Sequence, residues 1–118
     1  MGNKVKKKLK KELDLLWKEK SLEKHGKICF CGVEASTFHH YVPRSRSLAL
    51  RWDLENSVPL CHRHHYLVHF SHEPEVIRDI CDRIRQLRGK KWIDYIEGMR
   101  GVTGKDTIWW LQLQKEKL

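Results

Sequence analysis

No stretch of this 118-residue chain approaches the roughly 20 consecutive apolar residues that a membrane-spanning helix needs. The amino-terminal run MGNKVKKKLKKELDLLWKEK has lysines but neither the apolar segment nor the small-residue cleavage site of a signal peptide. A soluble, cytoplasmic protein with no membrane partner is therefore expected. There is no internal repeat, and the length suits one small domain, 1–118. Acidic side chains are scarce: 15 Asp and Glu face 24 Lys and Arg, a formal net charge of +9. Such a surplus favours a polyanionic partner through phosphate neutralisation and counterion release. Basic proteins are common, however, and charge alone carries no sequence preference.

A C-x-x-C pair is also absent. The four cysteines are Cys29 and Cys31 in a C-x-C, Cys61 in a C-x-x-H with His64, and Cys81. Cys29 and Cys31 are too close to pair easily as a disulfide. In a reducing compartment Cys29, Cys31, Cys61 and His64 read as a tetrahedral zinc site, three sulfurs and one imidazole. A closed site of that kind serves folding rather than chemistry. C-x-C is tighter than the usual knuckle, and the alternative is that these cysteines are small buried hydrophobes. Cys81 sits in a helical apolar pattern and reads as a buried free thiol.

The periodicity predicts a helix from residue 4 to about residue 24, with Val5, Leu9, Leu13 and Leu16 on one side, Trp17 beside them and Gly26 as its stop, which makes 1–26 a basic amino-terminal helical segment. The lysines of 4–11 read equally as a solvated face and as a phosphate-contacting arm. Residues 36–42 read as a strand stopped by Pro43, and 57–60 as a second strand that Pro59 confines to an edge. An Arg-rich connection, 44–55, lies between them. A helix is expected over 62–70. Another begins near 71–74, with Ser71 as its cap and Pro74 in its first turn, carries Val76, Ile77, Ile80, Ile84 and Leu87 on its apolar face, and ends at Gly89. A short helix over 90–99 and a GVTGKD linker follow. The tail TIWWLQLQKEKL fits helix or strand. Trp109 and Trp110 read first as core, with a dimer contact or a base-stacking platform as the other readings.

Between residues 29 and 69 the histidines crowd as well. His65 and His69 are i and i+4, so on a helix they share a face and can bind one ion. His39, from a strand packed on that helix, supplies a third imidazole and leaves coordination positions open, as in a catalytic site. His40 is then free as a general base, its ordinary pKa of about 6.5 being suited to neutral pH. Asn56, which can donate and accept, ties down the loop between the strands and fixes the backbone around His40; alone it would read as a turn residue. His62 and His64 compete for these roles in the run C-H-R-H-H, but only His65 shares a face with His69.

The ordered set His39-His40, Asn56, His65, His69, with the phrase ENSVPLCHRHH, resembles the HNH endonuclease family. The matched stretch, 29–69, is about a third of the chain, and small free-standing phage-like members are the nearest in kind. The resemblance implies an α+β fold: a ββα-metal (His-Me finger) core with a structural zinc knuckle over 27–70, between the amino-terminal helix and a helical extension over 71–118. It implies a metal-dependent DNA endonuclease. His39, His65 and His69 would hold one catalytic divalent cation (Mg²⁺, Mn²⁺, Ni²⁺ or Zn²⁺), His40 would be the base and Asn56 the orienting residue. Cys29, Cys31, Cys61 and His64 would hold structural Zn²⁺. The expected partner is nucleic acid, foremost double-stranded DNA, with Arg44, Arg46 and Arg51 on its backbone; a homodimer or a phage protein partner is compatible. By analogy the setting is phage recombination, replication or packaging, in the host cytoplasm. The rival readings are a non-catalytic zinc-stabilised DNA-binding module and an accessory subunit of a larger phage complex.

Overall fold

The segment 53–57 is the point at which the helices meet. Its carbonyls take side-chain donors from three of them: Trp17 Nε1 donates to Asp53 (3.0 Å), His25 Nε2 to Leu54 (2.7 Å), Trp92 Nε1 to Glu55 (2.7 Å) and an Arg88 nitrogen to Ser57 (2.6 Å). Lys24 pairs with the Glu55 carboxylate and Tyr95 donates to that of Asp53. A single 3-10 turn, Leu54–Asn56, uses only part of the acceptor capacity of this backbone, and long side chains from its surroundings take up the rest.

The computed structural model describes residues 2–118. Among them the chain forms a compact α+β fold of six helices and one two-stranded antiparallel sheet. Helix α1 (Gly2–His25) stops at Gly26, whose φ of 73° suits glycine and whose N–H bonds Leu22 O. Strand β1 (Thr37–His40) and strand β2 (Ser57–Leu60) pair from Thr37↔Leu60 to His40↔Ser57. Their connection holds a one-turn helix, α2 (Leu48–Arg51), and a 3-10 turn, Leu54–Asn56. Ser47 and Asp53 cap these through their side chains. Helix α3 (His62–Phe70) follows β2 after a single residue, then come α4 (Pro74–Arg88), α5 (Lys90–Met99) and α6 (Ile108–Lys117). No helix among the described residues is long and apolar enough to cross a membrane.

Two apolar clusters flank the sheet. One joins Val42, Leu50, Val58 and Leu60 to Ile80, Ile84, Trp92 and Ile96. The other joins Leu9, Leu13 and Trp17 of α1 to Trp52 and to Leu111 of α6. Every residue of β2 is buried, whereas β1 is half-buried and keeps one side toward a groove. At Gly104 an added Cβ would lie 2.8 Å from the Ala49 nitrogen, so the linker before α6 passes too close to α2 for any side chain.

The helix stripes differ from expectation in detail. In α1 the buried set is Leu9, Leu13, Trp17 and Ser21, while Val5 is exposed. The stripe recurs every fourth residue because α6 lies against one side of it. Leu87 of α4 is exposed. Ser71 does not cap α4: Glu73 is at that position, and Ser71 Oγ accepts the Glu73 N–H while its own N–H closes α3 on Leu67 O. The tail is helical, with Trp110 against Trp52 and Trp109 two-thirds exposed. Cys81 is half-buried and free, and burial raises its thiol pKa.

Candidate metal and nucleic-acid site

The C-x-C knuckle is a tight turn. Ile28 bridges Glu34, Cys29 N–H donates to Val33 O (2.8 Å), Gly32 N–H donates to Cys29 O (2.9 Å), and Gly32 adopts φ 89°. That φ lies in a region open chiefly to glycine. The turn presents Cys29 and Cys31 to the start of α3, where Cys61 is the N-cap and His64 lies one turn on. Cys29 Sγ is 3.6 Å and Cys61 Sγ 3.3 Å from His64 Nδ1, and Cys31 Sγ is 3.9 Å from Cys61 Sγ. A tetrahedral zinc with bonds of about 2.3 Å to sulfur and about 2.0 Å to nitrogen sets two sulfurs about 3.8 Å apart and a sulfur about 3.5 Å from a nitrogen. The four residues fit that ion, and all but Cys31 are buried. Burial raises the Cys29 thiol and lowers His64, while the Val33 backbone N–H leads the lowering of Cys31. His62, one turn before Tyr66, is exposed and belongs to neither histidine nor cysteine cluster.

Strand β1 sends its two histidines to opposite sides, as the pleat requires. His39 faces α3, its ring centroid 5.7 Å from that of His65 and 5.2 Å from that of His69. His65 and His69 rise from successive turns of α3 with their Nε2 atoms 3.0 Å apart, close enough to share a proton or an ion. The ligand atoms of the three all lie within 4.8 Å of one another. Burial first, then the imidazoles of His69, His65 and His40, pulls His39 down to about 3. Burial and the His69 and His62 rings lower His65 as well. Neutral imidazoles with free lone pairs are the form that binds a cation.

His40 turns the other way, toward α1. Its ring lies flat on Trp17, centroids 4.0 Å apart and 7° from parallel. Its Nε2 donates to Arg51 O at 2.9 Å, which leaves the lone pair on Nδ1. Burial lowers its pKa, opposed by the Arg51 carbonyl and the Asp14 carboxylate. Asn56 is fully buried. Its Oδ1 accepts Val42 N–H (2.8 Å), and its Nδ2 donates to Val42 O (3.0 Å) and Leu50 O (3.2 Å). Tyr41 N–H bonds the Asn56 carbonyl at 3.0 Å, so this one residue extends the sheet ladder and pins both ends of the loop after His40.

An open groove of about 510 Å³ runs past His39, His40, His65 and His69, with Lys18, Phe38 and Arg44 also on its walls. The arginines divide. Arg44 is exposed on the groove rim, 3.7 Å from Asp14. Arg46 is exposed but not on the groove wall. Arg51 is turned inward: its guanidinium bonds both oxygens of Asp14 and lies over Trp52, with only 18% of the side chain exposed. It is a packing residue rather than a free cation, because Asp14 on α1 reaches it first. Lys18, Trp17 and Asp14 are site residues that spacing did not single out. Trp17 read as part of an apolar helix stripe, and nothing in the sequence ties it to His40.

Comparison with protein-family models, with curated proteins and with solved structures finds no match to this chain.

Proposed function

We propose that this chain is a metal-dependent endonuclease of the HNH kind, hydrolysing phosphodiester bonds of double-stranded DNA on a ββα-metal core formed by β1, β2 and α3. One observation carries the reading: three imidazoles converge on a shared point while the adjacent His40 is held separately, both on one open groove. Packing alone gives no reason for His39, His65 and His69 to face one another beside a basic groove. A divalent cation held by those three residues would supply Lewis-acid stabilisation of charge building on the phosphoryl group and the departing 3′ oxygen.

The chain's own residues supply the rest. With Nε2–H committed to the Arg51 carbonyl, His40 takes a proton from water at Nδ1. Trp17 and the Asn56-pinned loop hold the ring in that pose. Lys18 and Arg44 attract the sugar-phosphate backbone without reading bases. The resemblance implies 5′-phosphate products. The Cys29, Cys31, Cys61 and His64 site fastens the knuckle to the start of α3 and so fixes where His65 and His69 emerge.

A plasmid-nicking assay with added Mg²⁺, Mn²⁺ or Ni²⁺ tests this, comparing wild type with His40→Ala and His65→Ala. Nicking by wild type and its loss by at least a hundredfold in both variants is expected, the usual scale for a general base. DNA binding with no nicking under any cation would favour the non-catalytic DNA-binding module. Nicking undiminished in His40→Ala would remove that residue from the reaction.

A further inference from the structure

The outer side of α1 carries lysines that nothing in the fold uses. Lys4, Lys7, Lys8, Lys11 and Lys18 are exposed, and none forms an ion pair among the described residues. At about 100° per residue these positions fall on one side, with Leu15 and Leu22 between and beyond them. The buried stripe of Leu9, Leu13, Trp17 and Ser21 lies on the opposite side. Three of the four acidic side chains of the helix are held in ion pairs, and Glu19, exposed at the edge of this side, is the exception among the described residues. Glu12 pairs with Lys115, Glu23 with Lys20, and Asp14 with Arg51. Lys6 and Lys10 differ from the stripe in bonding Asp106. Lys18, the last of the row, is also a wall of the histidine groove. The row of lysines therefore reaches the groove at Lys18.

We propose that α1 is a backbone-tracking arm for a nucleic-acid duplex, extending the footprint outward from the groove. The proposal rests on the nuclease reading only for the choice of duplex DNA as the substrate. From Lys4 to Lys18 the helix rises about 21 Å, which matches about six base pairs at 3.4 Å each. A straight, stiff row of ammonium groups suits a straight polyanion. No aromatic side chain stands among these lysines, so unpaired bases would find nothing to stack on. An anionic bilayer is a poorer fit. The apolar side that would enter the headgroup region is already packed on α6 and Trp52, leaving only the scattered Val5, Leu15 and Leu22 exposed.

The test uses the full chain and the variant Lys4→Gln/Lys7→Gln/Lys8→Gln/Lys11→Gln, since glutamine keeps helix propensity and removes charge. Circular dichroism and thermal melting check that the variant is folded. Fluorescence anisotropy without added divalent cation, so that no strand is cut, measures affinity for 10- and 24-base-pair duplexes across a salt series. The salt slope is expected to fall by about two to four in the variant, close to one unit per lost phosphate contact. The affinity gained by wild type on the longer duplex is expected to shrink at least tenfold. An unchanged slope, or no duplex binding by wild type, overturns the arm. So does wild type binding phosphatidylserine vesicles more tightly than duplex, with vesicle binding alone lost in the variant. Nicking with an unchanged slope would leave the nuclease standing and remove the arm. A lysine-dependent slope without nicking would do the reverse.

Discussion

The imidazole of His40 and the indole of Trp17 are stacked 4.0 Å apart and within 7° of parallel, although they come from a strand and a helix with no sequence relation. Trp17 is itself fixed by its Nε1–H to the Asp53 carbonyl at 3.0 Å. The ring of His40 is thus bounded by an aromatic face on one side and held at its edge by Arg51 O. Positioning of this kind narrows the orientations open to Nδ1, which a base acting on a bound water requires.

Trp17 substitutions separate positioning from stability. Trp17→Phe keeps an aromatic face but loses the bond to Asp53, and is expected to cost about 1–2 kcal/mol while nicking falls less than tenfold. Trp17→Leu removes the face, and is expected to cost about 2–4 kcal/mol with a loss of nicking beyond tenfold at temperatures where the variant is fully folded. Denaturant midpoints and nicking rates on the same preparations check both. Equal activity in the two variants would mean that the stack does not position His40.

Asn56 is expected to be among the most sensitive positions in the chain. Asn56→Ala leaves Val42 N–H and Val42 O without partners in a fully buried setting, while Leu50 O keeps the Asp53 N–H. At about 1–3 kcal/mol for each orphaned group, a loss of about 3–5 kcal/mol is expected. Asn56→Asp keeps the acceptor for Val42 N–H but turns a carboxylate oxygen toward two carbonyls, and should be comparably destabilised at neutral pH. Urea unfolding followed by tryptophan fluorescence reads the effect.

Much of this centre was legible in the chain because its parts are local. β2 and α3 fall where Pro59, the C-x-x-H and the i, i+4 histidines place them. The knuckle was legible because a C-x-C followed by glycine has few ways to turn. What stayed hidden is long-range. The one-turn helix and the 3-10 turn between the strands depend on single caps, Ser47 and Asp53, and have too few residues to show a period. The inward turn of Arg51 is decided by Asp14, 37 positions away. The run IWWLQL is apolar in every direction, so the contrast between packed Trp110 and exposed Trp109 comes only from where α1 and Trp52 lie.

His25 is expected to give the fold a pH dependence away from both candidate ligand clusters. Burial leads the lowering of its pKa from 6.5, while its Nε2–H bonds Leu54 O. The folded form therefore holds the ring neutral where the unfolded chain would take up a proton. Its contribution is complete above 6.5 and is lost as pH falls through the lowered folded value. His25→Gln keeps a donor for Leu54 O and cannot titrate. The decline in denaturant midpoint from pH 7.5 to 5.5 is expected to be shallower in this variant than in wild type. Parallel profiles would show that His25 is not a source of the dependence.

Metal analysis separates the two ligand sets. About one tightly held zinc per chain is expected after extensive dialysis, as for closed sites. Cys61→Ala should lose it and lower the melting temperature by 10 °C or more, on the order of the about 2–5 kcal/mol that a structural staple gives a small domain. His65→Ala should retain it, because His65 does not contribute to the Cys29, Cys31, Cys61 and His64 set. Loss of zinc in His65→Ala would mean that the histidine trio holds the tight ion instead.

The two arginines facing Asp14 are expected to behave in opposite ways. Arg51→Ala removes a guanidinium with 18% of its side chain exposed from a carboxylate with 27% exposed, leaving Asp14 with the Trp52 Nε1–H and the distant Arg44. A largely shielded carboxylate that loses its partner destabilises the fold, here by about 1–3 kcal/mol. The effect on duplex affinity at a temperature where the variant is folded should be small. Arg44→Ala, at 60% exposure and 3.7 Å from Asp14, should cost under about 0.5 kcal/mol, because a solvated pair contributes little. It should weaken duplex binding several-fold and lower the salt slope by about one unit, as for a lost phosphate contact. Melting curves and salt-dependent anisotropy on both variants decide it, and a matched loss of binding in the two would show that Arg51 reaches the backbone despite its hold on Asp14.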